Sequence, residues 1–561
     1  MKGENIKYEV LNPWADVDIP KLEGLSPRVA DLTGKTIGLL YNAKVAARPI
    51  LTVVKERLRE RFPTLKTSWH EATPPSMWNE SLGNEREAWN QKLQDWVKGV
   101  DAAIIAVGDC GACTKYGSYD AITAEQSSTP AVMLVAEGFE NDVRSAVSSR
   151  GIPGLRFVTE TVPCECTIEE KIQAGISEGA IDNIIAALTR PLTAEEQSPS
   201  KEVEELPRIV FKGDPQEVNR FFYKRGWTDG LPIIPPTEES VEEMLTGTGL
   251  PADHVVARIT PRLGKATIEK IAINAVMAGA LPTYMPLLIT GVQLLADPAG
   301  AFGMYGVSTS SRAPFWIING PVRIDANIHG GIGALSPGHI ANATIGRALG
   351  LIVKNIGGIR PGIEDMAVHG NPMRYSMVVG ENEEESPWEP LHVERGRSKE
   401  DSAITLFFPN SYTYVLAYSA DANGILNTAI HNIPPGGGGA LCMLVNPTFA
   451  KFLADEGWTK KEIQKFIKEH ARCPRDKHWL SPLGMIPKEF ETLANTDSMP
   501  LIISPDGVSI IVCGKFSSWI GLATGSYLSG GVFVTKKVEL PANWKNLVEK
   551  YKDIVPTYIR Y

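Results

Sequence analysis

The fold of this chain is decided by the stretch Asp101-Ala-Ala-Ile-Ile-Ala-Val-Gly-Asp-Cys-Gly-Ala-Cys-Thr-Lys-Tyr-Gly-Ser-Tyr-Asp120. Its apolar run over residues 102–107 has the length of a buried strand, and the run ends at Gly108. Residues 114–126 then follow the pattern of a helix. The stretch therefore predicts a strand, a tight turn that carries two cysteines, and a helix.

Hydrophobic periodicity on both sides of this stretch predicts a doubly wound α/β unit. The predicted strands are 36–41, 66–70, 102–107, 131–136 and 156–158, and the predicted helices are 46–62, 85–100, 114–126, 140–150 and 167–188. Strands that alternate with helices at this spacing form a parallel sheet with helices on both faces. We therefore expect a flavodoxin-like domain over residues 34–190.

The remaining chain divides where its composition changes. Residues 1–33 have the proline-rich pattern of an irregular N-terminal arm, and 191–206 mix proline, serine and acidic residues as linkers do. A larger Gly/Pro-rich α+β unit follows. We divide it into a substrate or closure domain over 207–432 and a C-terminal α/β subdomain over 433–561, although the sequence leaves open whether the latter is a separate domain.

Composition and charge exclude several classes of protein. The 561 residues carry a formal net charge of −9 and have a sequence pI of about 5.7, so nucleic acid and anionic membrane surfaces are not expected partners. The first residues do not form a secretory signal, and no apolar run has membrane-spanning length. The chain has seven cysteines, and an odd number argues against a disulfide framework and for reduced thiols. We therefore expect a cytoplasmic, multidomain protein.

The two cysteines of the central turn are the strongest candidates for chemistry. In an open α/β sheet, ligands bind at the carboxyl ends of strands, where a following helix directs its free N–H groups and positive dipole end. A thiol held there should ionise more easily, and a second thiol two residues away can form a disulfide with it. Simple burial in a tight turn is the alternative. Asp109 and Asp120 could tune the pKa of the thiol or protonate it. Alternatively, Asp109 caps the helix and Asp120 is a solvated residue on the helix surface.

The segment Gly108-Asp-Cys-Gly-Ala-Cys-Thr114 resembles the UGSC family, which is named for a selenocysteine-Gly-Ser-Cys motif and has many members with cysteine in the first position. Asp120 and the segment 129–132 extend the resemblance, which looks specific over residues 35–190. Further resemblance to longer members lies at 226–232, 266–282, 342–348 and 381–390.

The resemblance implies different roles for the two cysteines. A position that accepts selenocysteine needs a strong nucleophile of low pKa, which implies that Cys110 attacks and that Cys113 is the resolving thiol. The chain departs from the motif at Ala112, where the family has serine. If that hydroxyl assists the thiolate, the helix dipole, Lys115 or Thr114 must replace it. The family has no settled reaction, so the resemblance implies no substrate.

Two further segments suggest binding of a small-molecule substrate. Trp227, Thr228 and Asp229 lie between two glycines, a composition that suits a loop close to a ligand, or else a turn between domains. Asn342 and Arg347 lie on a predicted helix, where Arg347 could hold an anionic group through its planar guanidinium. Alternatively, Asn342 and Arg347 are buried polar partners in a large core, with no role in binding.

A cofactor is less clearly indicated. His329 and His339, with Glu364, Asp365 and His369 beyond them, could hold a divalent metal, but their spacing matches no known metal motif. Zinc on Cys110, Cys113, Cys164 and Cys166 is disfavoured by the Cys-X-Cys spacing. Residues 436–439 lack the ending of a phosphate loop, and no Gly-X-Gly-X-X-Gly follows the first strand, so we expect no nucleotide cofactor.

The sequence leads to three functional hypotheses. The first is a cysteine-dependent oxidoreductase in which Cys110 attacks a small electrophilic organic substrate, Cys113 releases it as a disulfide forms, and a thiol or dithiol reductant restores the pair. The second is a lyase or hydratase that uses covalent addition of Cys110 and acid/base groups such as Asp229. The third is a non-catalytic metal or sulfur carrier. Homo-oligomeric assembly is compatible with each.

Overall fold

The computed structural model describes residues 6–42, 44–71, 83–200, 206–436, 439–478, 497–502, 506–525 and 533–555. The strands are β1 Tyr8–Leu11, β2 Thr36–Tyr41, β3 Lys66–Glu71, β4 Ala102–Gly108, β5 Ala131–Ala136, β6 Phe157–Glu160, β7 Ile209–Gly213, β8 Val255–Ile259, β9 Gly264–Thr267, β10 Phe315–Asn319, β11 Val378–Gly380, β12 Ala403–Phe407, β13 Ser411–Leu416, β14 Ala440–Val445, β15 Arg472–Pro474, β16 Ser498–Pro500, β17 Val508–Val512, β18 Trp519–Gly525 and β19 Val534–Lys537.

The α-helices are α1 Ala47–Arg61, α2 Gly83–Val97, α3 Gly111–Gln126, α4 Glu140–Ser149, α5 Glu169–Gly175, α6 Glu178–Thr189, α7 Ala194–Gln197, α8 Pro215–Lys224, α9 Glu238–Leu245, α10 Ile268–Ala278, α11 Met285–Leu295, α12 Phe302–Tyr305, α13 Val322–Asp325, α14 Ile340–Asn355, α15 Leu391–Glu394, α16 Ala422–His431, α17 Pro447–Asp455, α18 Lys460–His470 and α19 Trp544–Tyr551. None of the helices in the described ranges combines the length and apolarity that a bilayer crossing requires.

The first unit is built on a five-stranded parallel sheet with the order β3-β2-β4-β5-β6. Numbered by their place in this unit, the strands run 2-1-3-4-5, the flavodoxin-like order. Every residue of β4 is buried, as expected for a central strand covered on both faces. The predicted flavodoxin-like α/β class is therefore confirmed, and its topological switch point lies between β2 and β4.

The predicted closing helix over 167–188 is wrong in one detail. The structure has two helices there, because α5 ends at Gly175 and Ser177 caps a new helix by accepting a hydrogen bond from the backbone N–H of Ala180. An N-cap serine satisfies a helix N–H that would otherwise lack a partner. The local capping signal therefore overrides the continuous apolar periodicity.

The N-terminal arm is not irregular throughout. Its strand β1 pairs antiparallel with β7, which lies about 200 residues later, so the arm contributes to the second unit. Beyond β1, the carbonyl oxygen of Asn12 accepts a hydrogen bond from Lys270 Nζ at 2.7 Å, and the backbone N–H of Ala15 donates to the carbonyl of Asn355. The arm is thus fixed against helices α10 and α14.

The segment predicted as a linker is partly ordered. Helix α7 lies within it and begins with a capping box between Thr193 and Glu196. Arg156 forms a two-pronged ion pair with Glu196, with both N–O distances 2.8 Å, and this hydrogen bonding lowers the pKa of Glu196 to about 2. The first part of the segment therefore packs on the flavodoxin-like unit, whereas 201–205 lie outside the described residues.

The second unit contains two four-stranded sheets, ordered β11-β10-β12-β19 and β13-β18-β14-β17. Each sheet combines strands from both sides of residue 433, the predicted start of the C-terminal subdomain. Helices α10 and α11 are buried nearly all round, and α10 packs against α14. The division of the second unit into domains stays a prediction.

The two units share one hydrophobic core. Side chains on the α3 face of the parallel sheet belong to the same buried cluster as those of α10, α11 and α14, whereas the opposite face of the sheet packs on α1, α5 and α6. At Gly111, the first residue of α3, an added Cβ would overlap the carbonyl oxygen of Val307. The second unit is therefore seated directly on the turn that carries the cysteines.

We predict that Gly111→Ala destabilises the docking of the second unit, because a backbone carbonyl cannot move aside as a flexible side chain can. Overpacking of this kind costs about 1–3 kcal/mol. Thermal or urea unfolding of the full chain measures the loss. Gly179→Ala is the matched control, since Gly179 also lies in the first turn of a helix but its added Cβ would meet no atom closer than 3.7 Å. Equal stability of the two variants would contradict the close packing at Gly111.

Candidate functional site

Cys110 is the N-cap residue of α3. Its backbone is extended, with φ −154° and ψ 162°, and its Sγ accepts a hydrogen bond from the backbone N–H of Cys113 at 3.2 Å. The cap position is usually filled by serine, threonine, aspartate or asparagine, whose oxygen takes the same hydrogen bond. Here sulfur takes it, so the Cys110 thiol lies at the positive end of the helix dipole. Both cysteines are buried, with 7% and 2% of their surface exposed.

The surroundings separate the pKa values of the two thiols. Hydrogen bonding from Cys113 lowers the pKa of Cys110, and the positive charge of Lys44 lowers it further, although burial and the charge of Asp109 oppose this effect. The pKa of Cys113 is raised well above its ordinary value, because Cys113 hydrogen bonds to Cys110 and is itself buried. Cys110 is therefore the thiol that ionises, while Cys113 keeps its proton.

Lys44 supplies the positive charge of the site, and sequence analysis missed it. It follows β2, the strand next to β4, and its Nζ lies 3.4 Å from Asp109 Oδ1 while also pairing with Glu165. Burial alone would lower the pKa of Lys44, but its electrostatic interactions with the two cysteines, Asp109 and Glu165 together raise it. Its position at the end of a strand beside the switch point is the one sequence signal that could have found it.

Asp109 lies beside the thiols, as the sequence predicts. Burial raises the pKa of its carboxyl group, against the lowering effect of Lys44. Among the described residues, Asp109, Cys110 and Cys113 form the only group of three His, Cys, Asp or Glu side chains that could hold a metal ion, with their ligand atoms all within 4.8 Å. The site can therefore offer either a reactive thiolate or a soft-metal ligand set.

Two buried acids near the thiols also escaped the sequence analysis. Asp142 on α4 is 4% exposed, and burial, together with the charges of Cys110 and Glu364, raises its pKa well above the ordinary value. Glu160 ends β6, and burial raises its pKa to about 7. Both carboxyl groups therefore hold a proton more readily than an exposed acid.

Asp120 occupies a different environment from Asp109. Its carboxylate accepts a hydrogen bond from Trp89 Nε1 at 3.2 Å. Ten residues along α3 from Cys110, it lies about 15 Å from the cap by helix rise. The structure thus places Asp120 in the helix packing against α2, and its predicted role at the thiols stays a prediction.

The two residues predicted to replace the missing serine hydroxyl, Thr114 and Lys115, are both buried. Lys115, the second predicted substitute for the missing serine hydroxyl, is buried and donates a hydrogen bond from Nζ to Thr260 Oγ1 at 2.9 Å. Thr114 is fully buried, and its Oγ1 has no hydrogen-bond partner among the described residues. Lys115 thereby connects α3 with the second unit.

Two of the predicted substrate-binding residues meet each other. Arg347 and Asp229 form a two-pronged ion pair with N–O distances of 2.8 and 3.0 Å, and both line a cavity of about 240 Å³ in the second unit. Trp227 is buried against Phe221 and Phe222, while the Thr228 hydroxyl accepts a hydrogen bond from the backbone N–H of Gly230. The loop that contains them is therefore tied down by its own packing.

Asn342 makes hydrogen bonds to backbone groups. Its side-chain oxygen accepts from the N–H of His329 at 2.8 Å, and its amide donates to the carbonyls of His329 and Val378. These bonds connect α14 to the neighbouring segments. The structure gives Asn342 an observed structural role, and its contact with a substrate stays a prediction.

The two histidines predicted as metal ligands lie together but stack. The rings of His329 and His339 are 3.7 Å apart and inclined by 10°, and His329 Nε2 lies 2.7 Å from the carbonyl of Ile332. Glu364 instead pairs with Arg360, and Asp365 pairs with Arg374. A metal at His329 and His339 therefore stays a prediction.

A cleft of about 900 Å³ lies between the N-terminal arm, helix α4 and residues 360–364 of the second unit. Asp142 and Lys115 both line it. A hydrogen bond from Ser145 Oγ to Glu364 Oε1, 2.6 Å long, joins α4 to the second unit across the cleft. The charge of Cys110 also acts on Asp142, although Cys110 itself is not one of the residues that line the cleft.

The comparison with protein families finds a match for the first unit. The model of the UGSC family matches residues 9–190, which confirms the resemblance for this part of the chain and extends it to the N-terminal arm. The matched residues include both cysteines, Lys44 and Asp142. No curated protein matches the chain.

We predict that Lys44→Met raises the pKa of Cys110, because an opposite charge within about 4–6 Å lowers an acid's pKa by about 1–3 units. Alkylation of Cys110 by iodoacetamide near neutral pH should slow about tenfold, and its pH–rate profile should shift to higher pH. Peptide mapping by mass spectrometry measures both. Lys35→Met is the matched control, since Lys35 pairs with Asp101 at the opposite end of β2. Identical profiles for the two variants would contradict the role of Lys44.

We predict that Glu160→Gln stabilises the protein at alkaline pH. Since the pKa of Glu160 is about 7 in the fold and about 4.5 when unfolded, stability falls as pH rises from about 4.5 to about 7, and the glutamine variant escapes this loss. The gain should reach about 3 kcal/mol above neutral pH. Melting temperatures across this pH range measure it, with exposed Glu137→Gln as the control. A parallel pH dependence of variant and parent protein would refute the shift.

Proposed function

We propose that the chain is a thiol-dependent enzyme in which the Cys110 thiolate attacks a small electrophilic organic substrate and Cys113 resolves the adduct. The observation that carries the proposal is the capping hydrogen bond from the Cys113 N–H to Cys110 Sγ, made at the topological switch point of a flavodoxin-like sheet. Cys-X-X-Cys pairs at such a helix start are typical of redox-active thiols.

In the first step, the Cys110 thiolate forms a bond to an electrophilic carbon of the substrate, and the leaving group departs with the electron pair of its bond. The helix dipole and Lys44 stabilise the thiolate, so the nucleophile is present near neutral pH. The product of this step is a thioether between Cys110 and the substrate carbon.

In the second step, Cys113 loses its proton and attacks the sulfur of Cys110. A disulfide forms, the sulfur–carbon bond breaks, and the carbon leaves with the electron pair and takes up a proton. The substrate has then exchanged its leaving group for hydrogen, and the two thiols have supplied two electrons. This requires a carbon that tolerates negative charge, such as one beside a carbonyl group.

The third step restores the enzyme. An external dithiol reduces the disulfide, becomes a disulfide itself, and returns both cysteines to the thiol form. This cycle suits a reducing compartment, so we propose a cytoplasmic location. The arrangement of the two thiols supports the order of events, because the low-pKa thiol attacks first and the high-pKa thiol stays protonated until it is needed.

The second unit has a defined place in this proposal. Val307 and Met366 both pack at Gly111, the residue after the attacking cysteine, so the second unit covers the start of α3. A cover of this kind excludes bulk water from the thiolate and limits the size of the substrate. Substrate enters beside the cover, from the cleft that Asp142 lines.

A second candidate function is a carrier for a soft metal ion. It is favoured by the three ligand atoms of Asp109, Cys110 and Cys113 within 4.8 Å of one another. Thiolates select metals such as zinc and copper(I). Metal analysis of the purified protein distinguishes the two functions. A carrier retains stoichiometric metal, and the Cys110→Ala variant of a carrier no longer binds it.

We predict that methyl methanethiosulfonate reveals the relay between the two thiols. The Cys110 thiolate takes up a methylthio group and expels methanesulfinate, and Cys113 then expels methanethiol and leaves a Cys110–Cys113 disulfide. In Cys113→Ser the methylthio group should stay on Cys110. A Cys164→Ser background removes the exposed thiol from the count. Intact-mass measurement and peptide mapping follow each species.

Two other outcomes decide against the proposal. A methylthio group that persists on Cys110 in the protein with both cysteines shows that Cys113 does not resolve adducts, which favours the lyase or hydratase mechanism. Equal reactivity of Cys110 with the buried Cys473 and Cys513 shows that Cys110 is not an activated nucleophile at all.

A further inference from the structure

The cleft beside Asp142 carries an unusual balance of charge. Of its acidic lining residues, Asp18 pairs with Arg258 and Lys265, and Glu364 pairs with Arg360. These two carboxylates are therefore neutralised by their own partners. The rest of the charged lining consists of three cations, Lys115, Arg144 and Arg262, and two acids, Asp16 and the buried Asp142.

Arg262 is one of these cations. Its guanidinium lies 4.3 Å from the ring centre of Trp14 and donates a hydrogen bond to the carbonyl of Ala15 at 2.7 Å, and no carboxylate of the described residues lies within ion-pair distance. Burial, and then the charge of Arg360, lower the pKa of Arg262 to about 10, against the opposing charges of Asp16 and Glu364. An arginine held against another arginine inside a cleft is a good site for an added anion.

Asp142 is a second polar residue in the lining of the cleft. It is 96% buried, it lines the cleft, and its Oδ2 has no hydrogen-bond partner among the described residues. Buried polar atoms normally have a partner, so an orphaned one that faces a cleft indicates a ligand or water. A protonated carboxyl group at this place does not repel an anion, and it can donate its hydrogen to one.

We propose that this cleft binds the substrate of the thiol reaction and that the substrate is a small organic carboxylate, with its carboxylate on Arg262 and its reacting carbon past Asp142, towards Cys110. The proposal rests on the function proposed above and adds the substrate class. A cleft of about 900 Å³ has ample room for such a molecule with its water.

Asp142 then has a defined part in the second step. When Cys113 attacks Cys110, the departing carbon carries an electron pair and needs a proton, which the carboxyl group of Asp142 supplies. Cys113 gives up its proton to water in the cleft, and Asp142 is reprotonated from that water. Protons and electrons therefore balance with no further reactant beyond the dithiol that reduces the disulfide.

The probes that test the substrate class are iodoacetate and iodoacetamide, which differ in charge but alkylate cysteine in the same way. In both reactions a sulfur–carbon bond forms and iodide leaves with the electron pair. The ratio of the iodoacetate rate to the iodoacetamide rate is measured at Cys110 and, within the same sample, at the exposed Cys164. We predict that the ratio at Cys110 exceeds the ratio at Cys164 about tenfold, the effect of one favourable charged contact.

Two variants assign the effect to the arginine. Arg262→Met should lower the ratio at Cys110 to that at Cys164. Arg258→Met is the matched control, because Arg258 lies on the same hairpin and already pairs with Asp18. That variant should keep the high ratio.

A measurement on the unaltered protein guards against misfolded variants. Propionate should slow the alkylation of Cys110 by iodoacetamide in a saturable way and leave Cys164 unaffected. If iodoacetamide alkylates Cys110 quickly but iodoacetate shows no preference and propionate gives no protection, the carboxylate site is refuted while the thiol function stands. If iodoacetamide fails to alkylate Cys110 preferentially, the proposed function itself is refuted.

Discussion

The structure of the site depends on one hydrogen bond, from the backbone N–H of Cys113 to the sulfur of Cys110 at the start of α3. The bond requires that α3 begin at Gly111, directly after β4. The helix start therefore lies at the carboxyl edge of the sheet, where its dipole and its unpaired N–H groups act on the thiol. Any change that moves the first turn of α3 removes this effect.

Charged side chains from other strands and from α4 also affect the ionisation of Cys110, in addition to the helix start. Lys44 arrives from the end of β2, Glu160 from the end of β6 and Asp142 from α4, so the parallel topology gathers them around one turn. The acids and burial oppose ionisation of Cys110, whereas Lys44 and the helix favour it. The second unit closes this arrangement at Gly111 and forms the opposite wall of the cleft.

The sequence predicts the local elements well and the non-local ones poorly. The strand β4 and its buried neighbours follow from their apolar runs, and the Cys-X-X-Cys pair indicates the site. The sequence predicts a start of α3 at residue 114, three residues late, because Gly-Ala-Cys is a weak helix signal and cysteine is an unusual cap. Lys44, Asp142 and the pairing of β1 with β7 became visible only in the fold, since each depends on contacts between distant segments.

The central claim is that the pKa of Cys110 is lowered below its ordinary value while that of Cys113 is raised. Carbon-13 NMR of the protein labelled at cysteine Cβ tests this most directly, because each Cβ resonance shifts as its own thiol loses its proton. The account predicts that the Cys110 resonance titrates at lower pH than a free cysteine, whose pKa is about 8.5, and that the Cys113 resonance titrates at higher pH than a free cysteine. Titration of Cys110 at or above the pH of a free cysteine would contradict it.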